Sequence, residues 1–303
     1  MANLKEVRIR IASVISTQQI TKAMKMVSAA KLRRAQDAIV QMRPYAAKLR
    51  EIMENISETL DSSTGGVYAK ARPVNKVLII AVNSNRGLCG GFNTNINRAV
   101  NKMIREEYAA QAKEGNVKVL AIGKKAADFF GKMPNVYAGN HNEVYQNLNF
   151  TSVSEIAEKV MKEFADGYYD KVEVVYNQFK NAAVQYVITE QVLPMAPPPP
   201  EGGSASAQSA AGNAHRRADY IFEPNKEDLV LDLIPKAIKI QLYKAVLDSH
   251  ASEHGARMTA MNKATDNAGE ILKALRLEYN KRRQAAITGE ILEIVAGAEA
   301  LNG

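Results

Sequence analysis

The sequence predicts a mixed α+β and α/β molecule: a long antiparallel coiled coil of the N- and C-terminal helices plus a small central α/β domain with a mostly parallel sheet. Three observations lead there. Apolar residues in the first sixty positions keep heptad spacing, the last eighty read as helix almost throughout, and the middle holds continuous apolar runs. At 303 residues and 46% hydrophobic content, the chain can fill a sizeable core, and its 6% aromatics with no Trp favour aliphatic helix packing.

The first element follows a 4-3-4-3 row: Val7, Ile11 and Val14, then Leu32, Ala35, Ile39, Met42, Ala46, Leu49, Met53, Ile56 and Leu60. Between them the same seam carries Gln18, Thr21, Lys25 and Ser28, while Ile20, Met24 and Val27 form an apolar row on a neighbouring face. A helix over this stretch is ~80 Å long at ~1.5 Å per residue, too long to wrap inside a globule, so it needs a helical partner. Pro44 removes one backbone hydrogen bond, and a kink or local break is expected there. The partner is the helical stretch from about 227 to 298, with Ile234, Ile238, Leu242 and Ala245 in a matching row and Gly255, Gly269 and Gly289 among small residues that let another helix come close.

In the middle, KVLIIAVN over 76–83, KVLAIG over 118–123, KVEVVYN over 171–177 and QYVITEQVL over 185–193 read as strands. Helical stretches at about 94–114, 124–133 and 152–164 separate them, which gives a three-layer domain. The tract from Pro194 through the Pro/Gly/Ser/Ala-rich run is a linker, stiff at first and without fixed order after. The expected organisation is therefore an N-terminal coiled-coil helix over 1–62, the α/β domain over 74–193, the linker over 194–218 and the C-terminal coiled-coil helix over 219–303.

Composition excludes several chemistries. Cys89 is the single cysteine, and only His250 and His254 among four histidines have helical i, i+4 spacing, so no metal centre is expected. The start MANLKEVRIR is charged and no apolar run approaches the ~20 residues of a membrane span, so a cytosolic, reducing compartment is the default. The glycine loop RGLCGGF over 86–92 lies after the first strand, where doubly wound sheets bind mononucleotides, yet Gly87, Gly90 and Gly91 match neither dinucleotide nor P-loop spacing. A tight turn is the favoured reading, with Cys89 as a small buried hydrophobe. No nucleophile, base and orienting acid stand in a known arrangement, so catalysis is not expected.

Charge points to partners instead. Residues 1–50 hold 11 Lys/Arg against 2 Asp/Glu, whereas the remainder is nearly balanced, so the net +8 resides in the first helix. Lys22, Lys25, Lys31, Arg33 and Arg34 cluster there within the heptad rather than ahead of it, which disfavours a nucleic-acid reading.

The blocks IASVISTQQITKAMKMVSAAKLRRAQ, NSNRGLCGGFN and ARMTAMNKATDNAGEILKALRLEYNKRRQAAITGEILEIVAGAEAL resemble the gamma subunits of F-type ATP synthases. They fall at the start, middle and end of the chain, and the cysteine pair that gives chloroplast members a redox switch is absent. The resemblance implies a non-catalytic central rotor shaft without cofactor or directly bound nucleotide. Its implied partners are three alpha and three beta subunits around one gamma, an epsilon subunit and a membrane ring of c subunits, with no nucleic acid. It also implies contact residues. Lys22, Met24, Lys25, Arg33 and Arg34 would meet the moving lobes of the beta subunits, and Arg283 with Gln284 a beta catch loop. Ile287, Ile291, Ile294 and Val295 would turn in the hexamer sleeve, and Tyr220, Phe222 and Glu223 would form the foot on the ring. The implied location is the cytoplasmic face of a bacterial cell membrane, peripheral.

Overall fold

The computed structural model describes residues 4–57, 66–70, 72–195 and 226–302. The linker expected over 194–218 lies outside them beyond Met195, as do the foot residues Tyr220, Phe222 and Glu223. Helix α1 (Leu4–Ser57) opens the chain and α7 (Lys226–Asn302) closes it. Their partners step in opposite directions: Arg8 meets Tyr279, Thr21 meets Thr265, Lys25 meets Asn262, and Leu49 packs on Ala237 and Ile240. The pair is antiparallel from Arg8 to Leu49.

Burial along α1 follows the heptad seam. Val7, Leu32, Ala35, Ile39 and Leu49 are buried, and so are the polar seam residues Thr21 and Ser28. The neighbouring row of Ile20 and Val27 is exposed instead, at 59% and 57%, because the seam alone faces α7. The helix runs unbroken through Pro44, against the expected local break. Packing on both sides of the proline, by Ile39 and Leu49, holds the helix, and Pro44 itself faces solvent.

Between the long helices lie α2 (Gly66–Ala69), β1 (Val77–Val82), α3 (Phe92–Glu106), α4 (Ala109–Lys113), β2 (Val117–Ile122), α5 (Lys124–Phe130) and β3 (Tyr137–Asn140). A single 3-10 turn (Asn142–Tyr145), α6 (Phe150–Ala165), β4 (Lys171–Phe179) and β5 (Gln185–Leu193) follow. The sheet order is β3-β2-β1-β4-β5, parallel except for the β4–β5 hairpin. Leu78, Ile80, Val82, Val172, Val174 and Tyr176 project from one face into α6 and α7; Val77, Ile79, Ala81 and Val119 project from the other into α3 and α5. Residues Ile234, Ile238, Leu242 and Ala245 of α7 thus form part of an outer layer of the α/β domain. The sheet core and the helix pair share α7.

Two local features depart from expectation. The helix expected over 94–114 is split, because Tyr108 turns inward and donates its hydroxyl proton to Glu173 Oε2 at 2.7 Å, while the N–H groups of Glu107 and Tyr108 both bond Met103 O. Strand β3 was not expected, being four residues at a sheet edge with a glycine in the middle.

Candidate functional site

At the carboxyl edge of the sheet, the chain goes from β1 to β2 and β3 on one side and returns to β4 on the other. That reversal between β1 and β4 is where doubly wound folds open a ligand crevice. Here α7 fills it. Ser249 Oγ donates to Val82 O at 3.2 Å, and Ser252 Oγ donates to Asn177 O at 2.9 Å, both serines being fully buried. Gly255 lets the helix press on the β4–β5 hairpin, since a Cβ there would stand 3.2 Å from Ala182 Cα and 3.3 Å from Ala182 O. Thr259 Oγ1 donates to the same carbonyl at 3.0 Å.

The glycine loop is drawn onto this helix. Arg257 donates from Nη2 to Arg86 O at 3.0 Å and makes an ion pair with Glu253 at 2.7 Å, both side chains being buried. Leu88 adopts φ 62° and is 65% exposed at the loop tip. Cys89 points inward beside Asn93, and burial pushes its thiol pKa up, which makes it a poor nucleophile. The loop is a turn clamped to α7. A groove along α3 and α5, lined by Thr94, Asn97, Arg98, Asn101, Arg105 and Phe129, holds none of the residues named from sequence. No group of three His, Cys, Asp or Glu residues is placed to hold a metal among the described residues.

Above this seat the helix pair passes through its polar section. Lys25 Nζ donates to Asn262 Oδ1 at 2.5 Å, Thr265 Oγ1 donates to Thr21 Oγ1 at 2.8 Å, and Gln18 Nε2 lies 3.3 Å from the position a Cβ on Gly269 would take. Lys25 therefore turns toward α7, whereas Lys22, Lys31, Arg33 and Arg34 point to solvent and Met24 is half-buried. Four of these basic residues are exposed, and Lys25 is engaged by α7.

Past the Arg8–Tyr279 contact, the described part of α1 stops at Leu4 and α7 runs on to Asn302. Residues 283–302 extend ~30 Å at ~1.5 Å per residue. Arg283, Gln284, Ile287, Ile291, Ile294 and Val295 are all exposed there, Ile294 at 71%. Leu292, which sequence reading left out, joins this apolar surface. Also missed were Ser249, Ser252 and Arg257. Their small-and-polar context was visible, but their partners are main-chain carbonyls far away in sequence.

A family model described as ATP synthase matches residues 3–301. The chain is 57% identical to the ATP synthase gamma chain of Flavobacterium johnsoniae and 53% to that of Cytophaga hutchinsonii, across the whole of both chains in each case. It is 46% identical to that of Chlorobaculum tepidum over 99% of each. Among solved structures, a chain of the Euglena gracilis mitochondrial ATP synthase OSCP/F1/c-ring is similar in fold, with TM-score 0.66 and 22% identity over 98% of this chain and 94% of that one. A chain from the central stalk and c-ring of the Tetrahymena thermophila mitochondrial enzyme gives TM-score 0.56 and 24% identity over 81% and 99%. With a matching family model over nearly its full length and end-to-end relatives above half identity, the chain belongs to the ATP synthase gamma-chain family.

Proposed function

We propose that this chain is the central rotor shaft of an F-type ATP synthase, coupling ion-driven rotation of a membrane ring of c subunits to binding changes at catalytic sites on beta subunits. The supporting observation is the continuity of α7. One helix is keyed into the sheet by Ser249, Ser252 and Arg257, splinted by α1 above it, and exposes Ile287, Ile291, Leu292, Ile294 and Val295 beyond. Such a helix carries torque from the domain to a tip that turns inside a ring. Apolar side chains at the tip, Ile287, Ile291, Ile294 and Val295, suit a smooth sleeve because they make no directional bonds that rotation must break.

The chain directs chemistry without performing it. A shaft lacking threefold symmetry presents a different face to each of three beta subunits, so identical sites hold different affinities and rotation permutes them. Moving a two-state site from 1:99 to 99:1 needs ~5.5 kcal/mol of differential interaction, which several contacts share. Lys22, Arg33 and Arg34 supply exposed positive charge for acidic beta-subunit loops, with Met24 and Lys25 beside them at the neck. Three alpha subunits complete the ring around one gamma, and epsilon sits on the α/β domain. Tyr220, Phe222 and Glu223 form the foot on the c ring, and the assembly lies at the cytoplasmic face of a bacterial membrane. Among the described residues, no helix is long and apolar enough to cross a membrane.

The test is the complex reconstituted from alpha, beta and this chain. Arg283→Ala with Gln284→Ala removes the polar pair offered to the catch loop from an exposed helix face. We expect assembly or turnover to fall at least severalfold while the isolated chain melts as before; unchanged ATPase and coupling sink the assignment of that pair.

A further inference from the structure

Below the polar section, α7 carries a buried polar chain next to the clamped loop. Arg257 has only donors, so its contact from Nη1 to His254 Nδ1 at 3.3 Å makes that nitrogen the acceptor. His254 must then carry its proton on Nε2, which faces His250 Nε2 at 3.1 Å and donates to it. The His250 ring stacks on Tyr145 of the 3-10 turn, with centroids 5.8 Å apart and 22° between planes. A string of hydrogen bonds thus runs from Glu253 through Arg257 and His254 to His250, and Arg257 simultaneously holds Arg86 O and Gly87 O. The same arrangement argues against a metal, since a cation on both Nε2 atoms would force the His254 proton to Nδ1, against the guanidinium.

We propose that the His250–His254 pair is an acid-sensitive latch that closes the glycine loop onto the shaft when neutral and releases it when protonated. Geometry carries this: a second proton on His254 goes to Nδ1 and meets an Arg257 N–H, and a second proton on His250 goes to Nε2 and meets the His254 N–H. Each added proton replaces an acceptor with a donor facing a donor. The surroundings reinforce the effect. Lys31 from α1, Arg86 from the loop and Arg257 from α7 are cationic, Glu253 is the acid that opposes them, and Cys89 and Tyr145 are neutral there.

Burial first, then Lys31 and Arg257, holds His250 down to about 4; burial, His250, Arg257 and Lys31 hold His254 down to about 3. The closed form therefore binds fewer protons than the open form, in which each histidine returns to ~6.5. Closure is fully favoured above that value and weakens as pH falls through it. One unit below, at pH 5.5, two histidines together shift the open-to-closed ratio ~100-fold. This concerns the chain's own seat and stands apart from the assignment of its partners.

Cys89 is the reporter, because it is the sole cysteine and is buried inside the loop that Arg257 holds. The full chain is labelled with a pyridyl disulfide, a thiol reagent active at acid pH, and the rate is normalised to a small free thiol. We expect the normalised rate to rise ~100-fold between pH 7.5 and 5.5, and to stay within ~3-fold in the double variant His250→Gln, His254→Asn, whose amides keep polar atoms without titrating. A flat wild-type profile, or an equal rise in the variant, overturns the latch. Should the variant not fold, proton NMR of the histidine rings in the wild type decides: two buried histidines titrating near ~6.5 with no change in labelling overturns it equally.

Discussion

Glycine positions separate packing from propensity residue by residue. Gly255 and Gly289 both lie inside α7, and each forgoes ~1 kcal/mol of helix propensity relative to alanine. At Gly289 nothing lies within 4 Å of an added Cβ, so Gly289→Ala should leave the melting temperature unchanged or slightly higher. At Gly255 the added carbon meets backbone atoms of Ala182 at 3.2 and 3.3 Å and Phe179 Cε2 at 3.4 Å. Backbone in a paired hairpin yields poorly, so Gly255→Val should cost ~1–3 kcal/mol by overpacking. Thermal unfolding of the two variants side by side checks this, and equal melting temperatures would mean that the helix does not press on the hairpin. The small residues were legible in the sequence as places where another helix comes close, which holds at Gly269, where Gln18 of α1 approaches, whereas Gly255 meets the β4–β5 hairpin and Gly289 meets nothing within 4 Å.

The helix pair shows which part of a fold heptad spacing can reveal. The 4-3-4-3 row gave both the facing positions and the polar interruption, because the period is local and survives changes in residue type. Gln18, Thr21, Lys25 and Ser28 all occupy seam positions that are buried or half-buried. What the period could not reveal was the break at Tyr108, whose cause, Glu173, is 65 residues away, or the crevice-filling serines, whose acceptors are carbonyls on other strands. The polar section also yields a prediction. Lys25 and Asn262 satisfy each other across the seam, and a hydrogen bond from a charged donor nets ~1.5–3 kcal/mol, whereas two buried leucines contribute ~1.5–3 kcal/mol each. Lys25→Leu combined with Asn262→Leu should therefore raise the midpoint of denaturant unfolding. Each single change should gain less, since it leaves one polar partner facing a hydrocarbon. A lowered midpoint in the double variant would mean that the polar pair outweighs apolar packing there.

Across the whole molecule, stability and function are divided along one helix. Residues 234–257 of α7 belong to the sheet core and its carboxyl edge, the part up to Tyr279 is paired with α1, and residues 283–298 are largely exposed. The polar pair Arg283 and Gln284 and the tip residues Ile287, Ile291, Ile294 and Val295 all entered through family resemblance. Exposure of Ile287, Ile291, Leu292, Ile294 and Val295 is a cost in the free chain, because a contiguous apolar surface favours association. Ending the chain after Arg282 should therefore leave the unfolding midpoint of the remainder within ~0.5 kcal/mol, the scale of surface changes that remove no packing. It should also make the free chain less prone to self-association at high concentration, and it should lower turnover of the complex with alpha and beta subunits. Calorimetry and sedimentation on both lengths separate these effects. A cooperative loss of stability on truncation would show that the tip packs within the chain, and would remove the reason for reading it as a surface that turns inside a partner.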